Sequence, residues 1–302
     1  MSTSPLTLAA PRPLLLAKAL DYLELTKPKI AVLELVVVLA AGFVATWGQP
    51  HPALLLHVMV GTLLIAASAS AANQWLERYR DGRMARTASR PLPAGRLSAG
   101  EALAFAAVTL LAGSLYLSAF VNSASLGWAL LTWVVYVLAY TPLKTVSPAN
   151  TAVGAVAGAL PVLIGWSATG AAIDARAVAL ALVLFLWQFP HFMAIAWLYR
   201  RDYGAAGYQM LTVVDPTGRR AGAQAVLAAL ALVPVSLVPV LSAAGVGSAL
   251  YAAGAILLGG GQLVAAGLFA RRPDEFSARL LLRASLAYLP TLLVTLALAP
   301  WI

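Results

Sequence analysis

The sequence predicts an all-α membrane protein, a bundle of nine transmembrane helices. Hydrophobic residues make up 61% of the 302 residues and charged residues only 10%, and the mean hydropathy is +0.85. A chain of this composition must turn apolar surface toward lipid. The apolar runs are also long and show no alternating ten-residue pattern. Since lipid leaves no backbone group unpaired, such runs predict helices rather than a closed β-barrel.

Nine apolar segments are long enough for helices that cross a hydrocarbon core, which takes about 20 residues. They run from about 30 to 47, 53 to 75, 99 to 121, 125 to 142, 151 to 169, 177 to 198, 221 to 243, 247 to 270 and 281 to 300. We therefore expect one transmembrane domain over residues 30–302. Residues 1–29 are expected to form a cytoplasmic extension, because they show no clear cleavage site and few of the arginines of a transit peptide.

The basic residues predict the orientation of this bundle. If the N-terminus is cytoplasmic, 19 of the 20 Lys and Arg residues fall in inside segments, and only Arg176 lies outside. This asymmetry is the one that the positive-inside rule describes. We expect the N-terminus and the functional face on the cytoplasmic side of a bacterial inner membrane, and the C-terminus outside. Topology and attraction to the lipid bilayer explain the net charge of +9, so no nucleic-acid partner is needed.

A cluster of polar residues follows the second apolar segment, in the stretch NQWLERYRDGRMARTASRPLPAGR from position 73. Asn73, Glu77 and Asp81 are spaced i, i+4, i+8, so they share one face if the helix continues past the membrane. Their oxygens are hard ligands of the kind that Mg²⁺ accepts, with coordination left for a phosphate. Salt bridges to the neighbouring arginines are the alternative. The position at the end of a span favours a functional role.

A second acidic site follows the sixth segment, in YRRDYGAAGYQM. Asp202 lies there beside Arg200 and Arg201, and the glycines allow a tight connection. Two acid-plus-arginine sites on the same face indicate an anionic substrate, held by metal and by arginine forks. A diphosphate fits this description.

Four motifs in order along the chain resemble the UbiA superfamily of intramembrane prenyltransferases, and within it the branch that modifies haem. They are DYLELTKPKI from position 21, the stretch from position 73, YTPLKTVSPANTAVGAVAGALPVLIGWSATG from position 140, and LWQFPHFMAIAWLYRRDYGAAGYQM from position 186. The similarity covers nearly all of the chain.

The resemblance implies a reaction between two substrates, farnesyl diphosphate and haem B, with Mg²⁺ as cofactor. Mg²⁺ would draw charge off the diphosphate, so that an allylic cation forms. A vinyl group of haem B would then attack this cation, and water would capture the resulting charge. No protein nucleophile is required, in agreement with the absence of cysteine. Haem A synthase and the assembly proteins of cytochrome oxidase are the candidate protein partners.

The resemblance also assigns roles to individual residues. Asn73, Glu77 and Asp81 would hold the metal, and Asp202 would hold a second ion or reach it through water. The residues expected to bind the diphosphate are Lys27, Arg78, Arg86, Thr87, Arg90, Lys144 and Arg201. For Lys27, anchoring at the membrane interface is an equal alternative.

His191 lies inside an apolar segment, where ionisable residues are usually functional. The resemblance places it among the catalytic residues and in a haem pocket with Trp187 and Phe192. Axial contact to the haem iron and proton handling near the vinyl group are the two roles considered. The alternatives are a hydrogen-bonded core histidine and ordinary helix packing of the aromatic rings.

Two other features lie within the predicted helices. Gly154 and Gly158 form a G-x-x-x-G pattern, which predicts close helix contact inside the bundle. Glu34 matches no motif, and we expect it to extend toward Lys27 or Lys29 at the interface.

Two other functions remain open from the sequence alone. The first is prenyl transfer to another aromatic acceptor, such as a quinone precursor. The second is transport, which would require acids buried in the middle of a span and an internal repeat. Neither feature is clear in this sequence.

Overall fold

The computed structural model describes residues 14–241, 243 and 245–302, and the regular structure in this part of the chain is helical. A short helix, α1 (Leu14–Leu25), comes first. Nine helices long and apolar enough to cross a membrane follow it in the described residues: α2 (Pro28–Ala45), α3 (Pro52–Asp81), α4 (Ala99–Phe120), α5 (Ser123–Leu143), α6 (Asn150–Ala168), α7 (Ala175–Leu198), α8 (Arg219–Val240), α9 (Val246–Arg271) and α10 (Glu275–Trp301). The predicted all-α bundle of nine spans is confirmed for these residues.

Local sequence signals start the helices. Proline occupies the first position of α2 and α3, where its missing N–H would have no partner in any case. Ser98 and Glu101 form a capping box at the start of α4, and the Asp174 side chain accepts two backbone N–H bonds at the start of α7. Such caps satisfy the free N–H groups of the first turn.

The helix α7 lies at the centre of one half of the bundle. It packs extensively along α8 and α10 and also against α6. Trp166 of α6 and Tyr288 of α10 are fully buried in the largest apolar cluster, to which α2, α6, α7, α8, α9 and α10 all contribute. The other half of the bundle is centred on α3, which packs along α4 over most of their length.

Glycines allow the closest approaches between helices. A Cβ atom on Gly165 of α6 would lie 2.0 Å from the backbone oxygen of Val38 in α2. In the predicted G-x-x-x-G pattern, a Cβ on Gly154 would meet the Tyr140 ring at 2.7 Å, and one on Gly158 would meet the Gln188 side chain at 2.2 Å. The pattern therefore serves packing inside the bundle, as expected.

The spans alternate in direction, so the loops α3–α4, α5–α6 and α7–α8 lie at one end of the bundle, which we call the site end. The helix α1 packs there: Leu25 is fully buried, Gln74 donates to its backbone oxygen at 2.8 Å, and Arg96 pairs with Asp21 at 2.6 Å. Residues 1–13 of the expected N-terminal extension lie outside the described residues. The rest of that extension packs on the bundle.

Two irregularities position residues at the site end. The helix α3 has 30 residues, about 45 Å at 1.5 Å per residue, so it exceeds a hydrocarbon core of about 30 Å and carries its last turns beyond it. In α5, Val135–Tyr140 form a π-helical turn just before Pro142. Such turns re-aim the side chains that follow them and often occur at functional sites.

The expected pairing of Glu34 is not formed. Glu34 makes no ion pair with any described residue: the Lys27 side chain is directed into the bundle toward Asn73, and Lys29 pairs with no acid of the described residues.

Candidate active site

Asn73, Glu77 and Asp81 lie on one face of the continuous helix α3. Their exposed fractions are 0%, 6% and 1%. Charged groups are rarely buried to this extent unless they are paired or bind a ligand. The arrangement therefore requires partners from elsewhere in the fold.

Each of these three side chains contacts a different cationic residue. Lys144 Nζ lies 2.7 Å from Glu77 Oε1, and Arg90 Nη1 lies 2.7 Å from Asp81 Oδ2. Lys27 Nζ donates to Asn73 Oδ1. The partners come from the loops before α2, after α3 and after α5. The alternative pairing with sequence-adjacent arginines is therefore not the one the fold adopts.

Thr141 fixes the orientation of the Asn73 amide. The Thr141 hydroxyl donates to the backbone oxygen of Tyr136 at 2.7 Å, so it accepts the bond from Asn73 Nδ2 at 2.9 Å. The amide oxygen of Asn73 consequently faces Lys27. The π-helical turn in α5 brings Thr141 and Tyr136 to this position.

Lys27 reaches the site through an unusual backbone conformation. Its φ and ψ are 52° and 61°, in the left-handed region that favours glycine. This conformation turns Nζ inward, where it also lies 3.5 Å from the Tyr136 hydroxyl. Burial, together with the nearby Arg90, lowers the pKa of Lys27 to about 7. Of the two roles expected for Lys27, this geometry favours anion binding over interfacial anchoring.

Lys144 is enclosed by aromatic rings. Its Nζ lies 4.4 Å from the centroid of the Tyr140 ring and 5.9 Å from that of Tyr208. Burial opposes the charge, but the Glu77 carboxylate together with Tyr140 and Tyr136 outweighs burial and raises the pKa of Lys144 well above its usual range. Lys144 is therefore a fixed positive charge in this site.

Tyr208 was not among the expected site residues. It is 3% exposed, and its hydroxyl has no hydrogen-bond partner in the part of the chain that the structure describes. Burial raises the pKa of Tyr208, and the nearby charge of Glu77 raises it further. A buried hydroxyl beside this carboxylate is placed to bond a ligand. The only sequence signal was its place within the motif GAAGYQM.

The two acidic loops contact each other. Met84, after α3, is buried against Ala206, Tyr208 and Met210, after α7. The loop after α7 is tied in turn to the loop after α5, because the Gln209 N–H donates to the backbone oxygen of Lys144 at 2.6 Å. Both acidic sites therefore belong to one surface.

Arg86 joins these two loops through its side chain. The guanidinium carbon lies 5.1 Å from the Tyr199 ring centroid and 4.9 Å from that of Tyr203. The Thr87 hydroxyl, in contrast, is bonded within its own loop. It donates to the backbone oxygen of Asp81, the last residue of α3, at 2.8 Å.

Other expected residues form no hydrogen bond or ion pair with the acids of α3 among the described residues. Arg78 donates to the backbone oxygen of Trp75 and lies over the rings of Trp75 and Tyr79. Asp202 is partly exposed and Arg201 is exposed. Neither side chain forms a hydrogen bond or ion pair with a described residue. The structure thus brings together the acids of α3 with Lys27, Arg90 and Lys144.

The donor atoms at this site fit Mg²⁺. Glu77 uses one carboxylate oxygen for Lys144, and Asp81 uses one for Arg90, which leaves Oε2 of Glu77 and Oδ1 of Asp81 without partners among the described residues. No three His, Cys, Asp or Glu residues of that part of the chain form a metal cluster. Mg²⁺ is commonly bound by one or two carboxylates together with substrate phosphates, which matches this donor set.

The three residues of the expected haem pocket are neighbours on α7. The His191 ring stacks on Trp187 with centroids 4.8 Å apart and lies 5.7 Å from the Phe192 ring. His191 Nδ1 is 2.9 Å from the hydroxyl of Ser285 in α10. Ser285 was not predicted, because an isolated serine in an apolar segment gives no signal.

Over residues 35–289 the sequence matches the UbiA prenyltransferase family. The protein belongs to this family and is an enzyme of the prenyltransferase class, as its motifs predicted. It is 43% identical to protoheme IX farnesyltransferase of Solibacter usitatus, over 89% of this chain and 95% of the relative. It is 44% identical to protoheme IX farnesyltransferase of Rhodopirellula baltica, over 91% and 98% of the two chains.

Solved structures share the fold at low sequence identity. A digeranylgeranylglyceryl phosphate synthase has a TM-score of 0.79 at 19% identity, over 94% of this chain and 98% of that one. A UbiA homolog from Archaeoglobus fulgidus, bound to GPP and Mg²⁺, has a TM-score of 0.65 at 18% identity, over 89% and 99% of the two chains. The described part of the chain therefore has the fold of these family structures.

Proposed function

We propose that this protein transfers the farnesyl group of farnesyl diphosphate to a vinyl group of haem B, with addition of water, to give haem O. The observation that carries the proposal is the identity of 43% and 44% to two protoheme IX farnesyltransferases over about nine tenths of the chain. The family membership argues against the transporter alternative. Buried acids and bases at one end of the bundle supply the chemistry that a diphosphate requires.

Lys27, Arg90, Lys144 and Arg86 would bind the diphosphate end of the prenyl substrate. The Arg90 fork can pair with two phosphate oxygens at once, whereas Lys144 acts as a single fixed charge. Held in place before the reaction, these charges stabilise the leaving diphosphate as negative charge develops on it. Thr87 would act indirectly, by holding the loop that carries Arg90.

Glu77 and Asp81 would hold Mg²⁺ through their free oxygens, with Asn73 beside them. Bound there, Mg²⁺ neutralises charge on the diphosphate and makes it a better leaving group. A bound Mg²⁺ in a family structure solved with GPP supports this assignment. Asp202 is the candidate for a second ion, since it lies on the adjoining loop and has no protein partner in the described residues.

The acceptor would bind deeper in the bundle, beside His191, Trp187 and Phe192. His191 lies seven residues before the end of α7 at Leu198, roughly 10 Å along the helix. The rings offer a flat apolar surface of the kind that a porphyrin needs. The farnesyl chain must reach this level from the diphosphate site for the two substrates to react.

The site end would face the cytoplasm of a bacterium, with the N-terminus inside and the C-terminus outside the inner membrane. The distribution of Lys and Arg between the loops supports this orientation. We also infer one functional domain over residues 30–302. Haem A synthase or a cytochrome oxidase assembly protein would receive the product, haem O.

The function is tested by supplying membranes that contain the protein with haem B, farnesyl diphosphate and Mg²⁺. Haem O should form, as detected by mass spectrometry, and chelation of Mg²⁺ should stop its formation. A matched reaction contains 4-hydroxybenzoate in place of haem B. Prenylated 4-hydroxybenzoate without haem O would overturn the proposal in favour of a quinone precursor as acceptor.

A further inference from the structure

His191, Trp187 and Ser285 form a hydrogen-bonded cluster between α7 and α10, separate from the paired acids of α3. His191 Nδ1 lies 2.9 Å from Ser285 Oγ. Trp187 Nε1 donates to the backbone oxygen of the same serine at 2.7 Å. Two side chains of α7, one helical turn apart, are thus fixed by one residue of α10.

The Ser285 hydroxyl determines which nitrogen of His191 carries the proton. A hydroxyl has one hydrogen to donate, and Ser285 donates it to the backbone oxygen of Leu282 at 2.7 Å. Its oxygen must then accept the bond from His191, so the proton of the neutral ring is on Nδ1. This leaves the lone pair on Nε2.

Trp187 fixes the plane of the same ring. The two rings are stacked, with centroids 4.8 Å apart and an angle of 23° between their planes. Since the indole is itself held by its bond to Ser285, rotation of the imidazole out of this plane would lose the stacking, and a half-turn about its Cβ–Cγ bond would lose the bond to Ser285. The direction of Nε2 is therefore set by residues outside His191.

The Nε2 atom is free to bind a ligand. It forms no hydrogen bond with any residue in the described part of the chain, and His191 is partly exposed. Histidine that binds a metal through one nitrogen generally donates from the other nitrogen to a neighbouring acceptor, which fixes the tautomer and the ring orientation. Ser285 supplies that acceptor here.

We propose that Ser285 is a positioning residue that holds His191 with its proton on Nδ1, so that Nε2 binds the iron of the acceptor porphyrin as an axial ligand. This inference rests on the proposed function, because it takes the acceptor to be haem. Of the two roles considered for His191, it selects contact with the haem iron over proton handling near the vinyl group. Ser285 and Trp187 would act by orienting His191 and would not touch the reacting atoms.

The test compares haem with metal-free protoporphyrin IX, which has the same ring and side chains but no iron. Purified protein in lipid nanodiscs is titrated with each, and the ratio of the two dissociation constants isolates the contribution of the iron. The Ser285→Ala variant should lose roughly two- to tenfold in haem affinity, the range expected for one hydrogen bond. Its affinity for protoporphyrin IX should stay unchanged.

Three further variants separate positioning from folding. His191→Ala should abolish the preference for haem over protoporphyrin IX and shift the absorption bands of bound haem. Added imidazole should return these bands to their wild-type positions. Ser285→Thr keeps the hydroxyl and should keep the wild-type ratio. Thr295→Ala removes a hydroxyl of the same helix that bonds only its own backbone, and it should also keep the ratio.

Two results would overturn the inference: an unchanged affinity ratio in His191→Ala, or equal losses for both porphyrins in Ser285→Ala. The wild-type protein is assayed for haem O in parallel. Haem O formation without a histidine-bound spectrum contradicts only this inference. A histidine-bound spectrum without haem O formation contradicts only the proposed function.

Discussion

Asp81 shows how a single residue serves two partners. One of its oxygens pairs with Arg90 at 2.7 Å, and the residue is 1% exposed. A carboxylate this buried keeps its charge only if cations surround it. Oδ1 of Asp81, which has no partner among the described residues, could then bind a metal ion. The side chain therefore combines a structural ion pair with a proposed ligand position.

Replacing Asp81 by Asn should abolish most of the activity. The substitution keeps the shape of the side chain but removes the charge that would hold Mg²⁺, and stabilisation by a metal ion amounts to several kcal/mol, or roughly 100-fold or more in turnover. Haem O formation by purified variant measures the effect. Glu275→Gln is the matched control, because Glu275 forms an exposed ion pair with Arg279. Full turnover in correctly inserted Asp81→Asn would show the metal assignment to be wrong.

The Tyr208 hydroxyl should matter for activity and not for stability. No hydrogen bond of normal geometry joins it to a described residue, so Tyr208→Phe should change the unfolding temperature little. Loss of a hydrogen bond to a charged substrate group should lower turnover about tenfold.

Tyr251→Phe provides the opposite case. Tyr251 is as deeply buried, but its hydroxyl donates to the backbone oxygen of Ser236 at 2.6 Å. Its loss should lower stability by about 1 kcal/mol and leave turnover unchanged. Thermal unfolding and haem O assays on both variants provide the comparison. A Tyr208→Phe protein with normal turnover would exclude a role for this hydroxyl.

At the level of elements, close contact between helices depends on particular glycines. The α2 backbone lies against Gly165 of α6, with no room for a Cβ. Other glycines in the spans, such as Gly260 of α9, have nothing within 4 Å of the added atom. The same residue type therefore has different consequences in α6 and in α9.

Gly165→Ala should destabilise the bundle by about 1–3 kcal/mol, because backbone atoms rather than flexible side chains must move. Gly260→Ala should have no effect or a small stabilising one, since the added methyl meets open space and alanine favours the helix. Unfolding temperatures of both variants in nanodiscs are the measurement. Equal changes in the two proteins would contradict the packing argument.

The helix boundaries show what sequence reasoning captures at this scale. The apolar window places the second span at 53 to 75, whereas α3 continues to Asp81. Likewise, α10 begins at Glu275 rather than near 281. Hydropathy detects the part of a helix that meets lipid and misses the turns that extend into polar surroundings. In α3 those missed turns carry the site.

On the scale of the whole molecule, the acids of the site and their cationic partners were predictable as residues, but the pairing between them was not. The spacing of Glu77 and Asp81 on a helix is visible in the sequence, and the motifs pointed to Lys27, Arg90 and Lys144. The ion pairs with Lys144 and Arg90, however, depend on how the loops after α3 and α5 meet. Tyr208 and Ser285 carry no charge and could be assigned only from their contacts.

The proposed orientation can be tested because the natural chain contains no cysteine. Ser89→Cys marks the α3–α4 loop and Ala172→Cys marks the α6–α7 loop at the other end, and both residues are exposed. In right-side-out spheroplasts, an impermeant maleimide should label Cys at 172 and not Cys at 89 until the membrane is opened. The reverse pattern would place the site outside the cytoplasm.

The ion pairs of Lys144 and Arg90 with the acids of α3 have a consequence for the order of substrate capture. Lys144 and Arg90 are neutralised by Glu77 and Asp81, so they become available to phosphate oxygens only when the two carboxylates gain another counterion. Diphosphate and divalent metal should consequently enter together, each enabling the other. A site whose cations are already paired with carboxylates should bind free phosphate and other anions weakly when no metal is present.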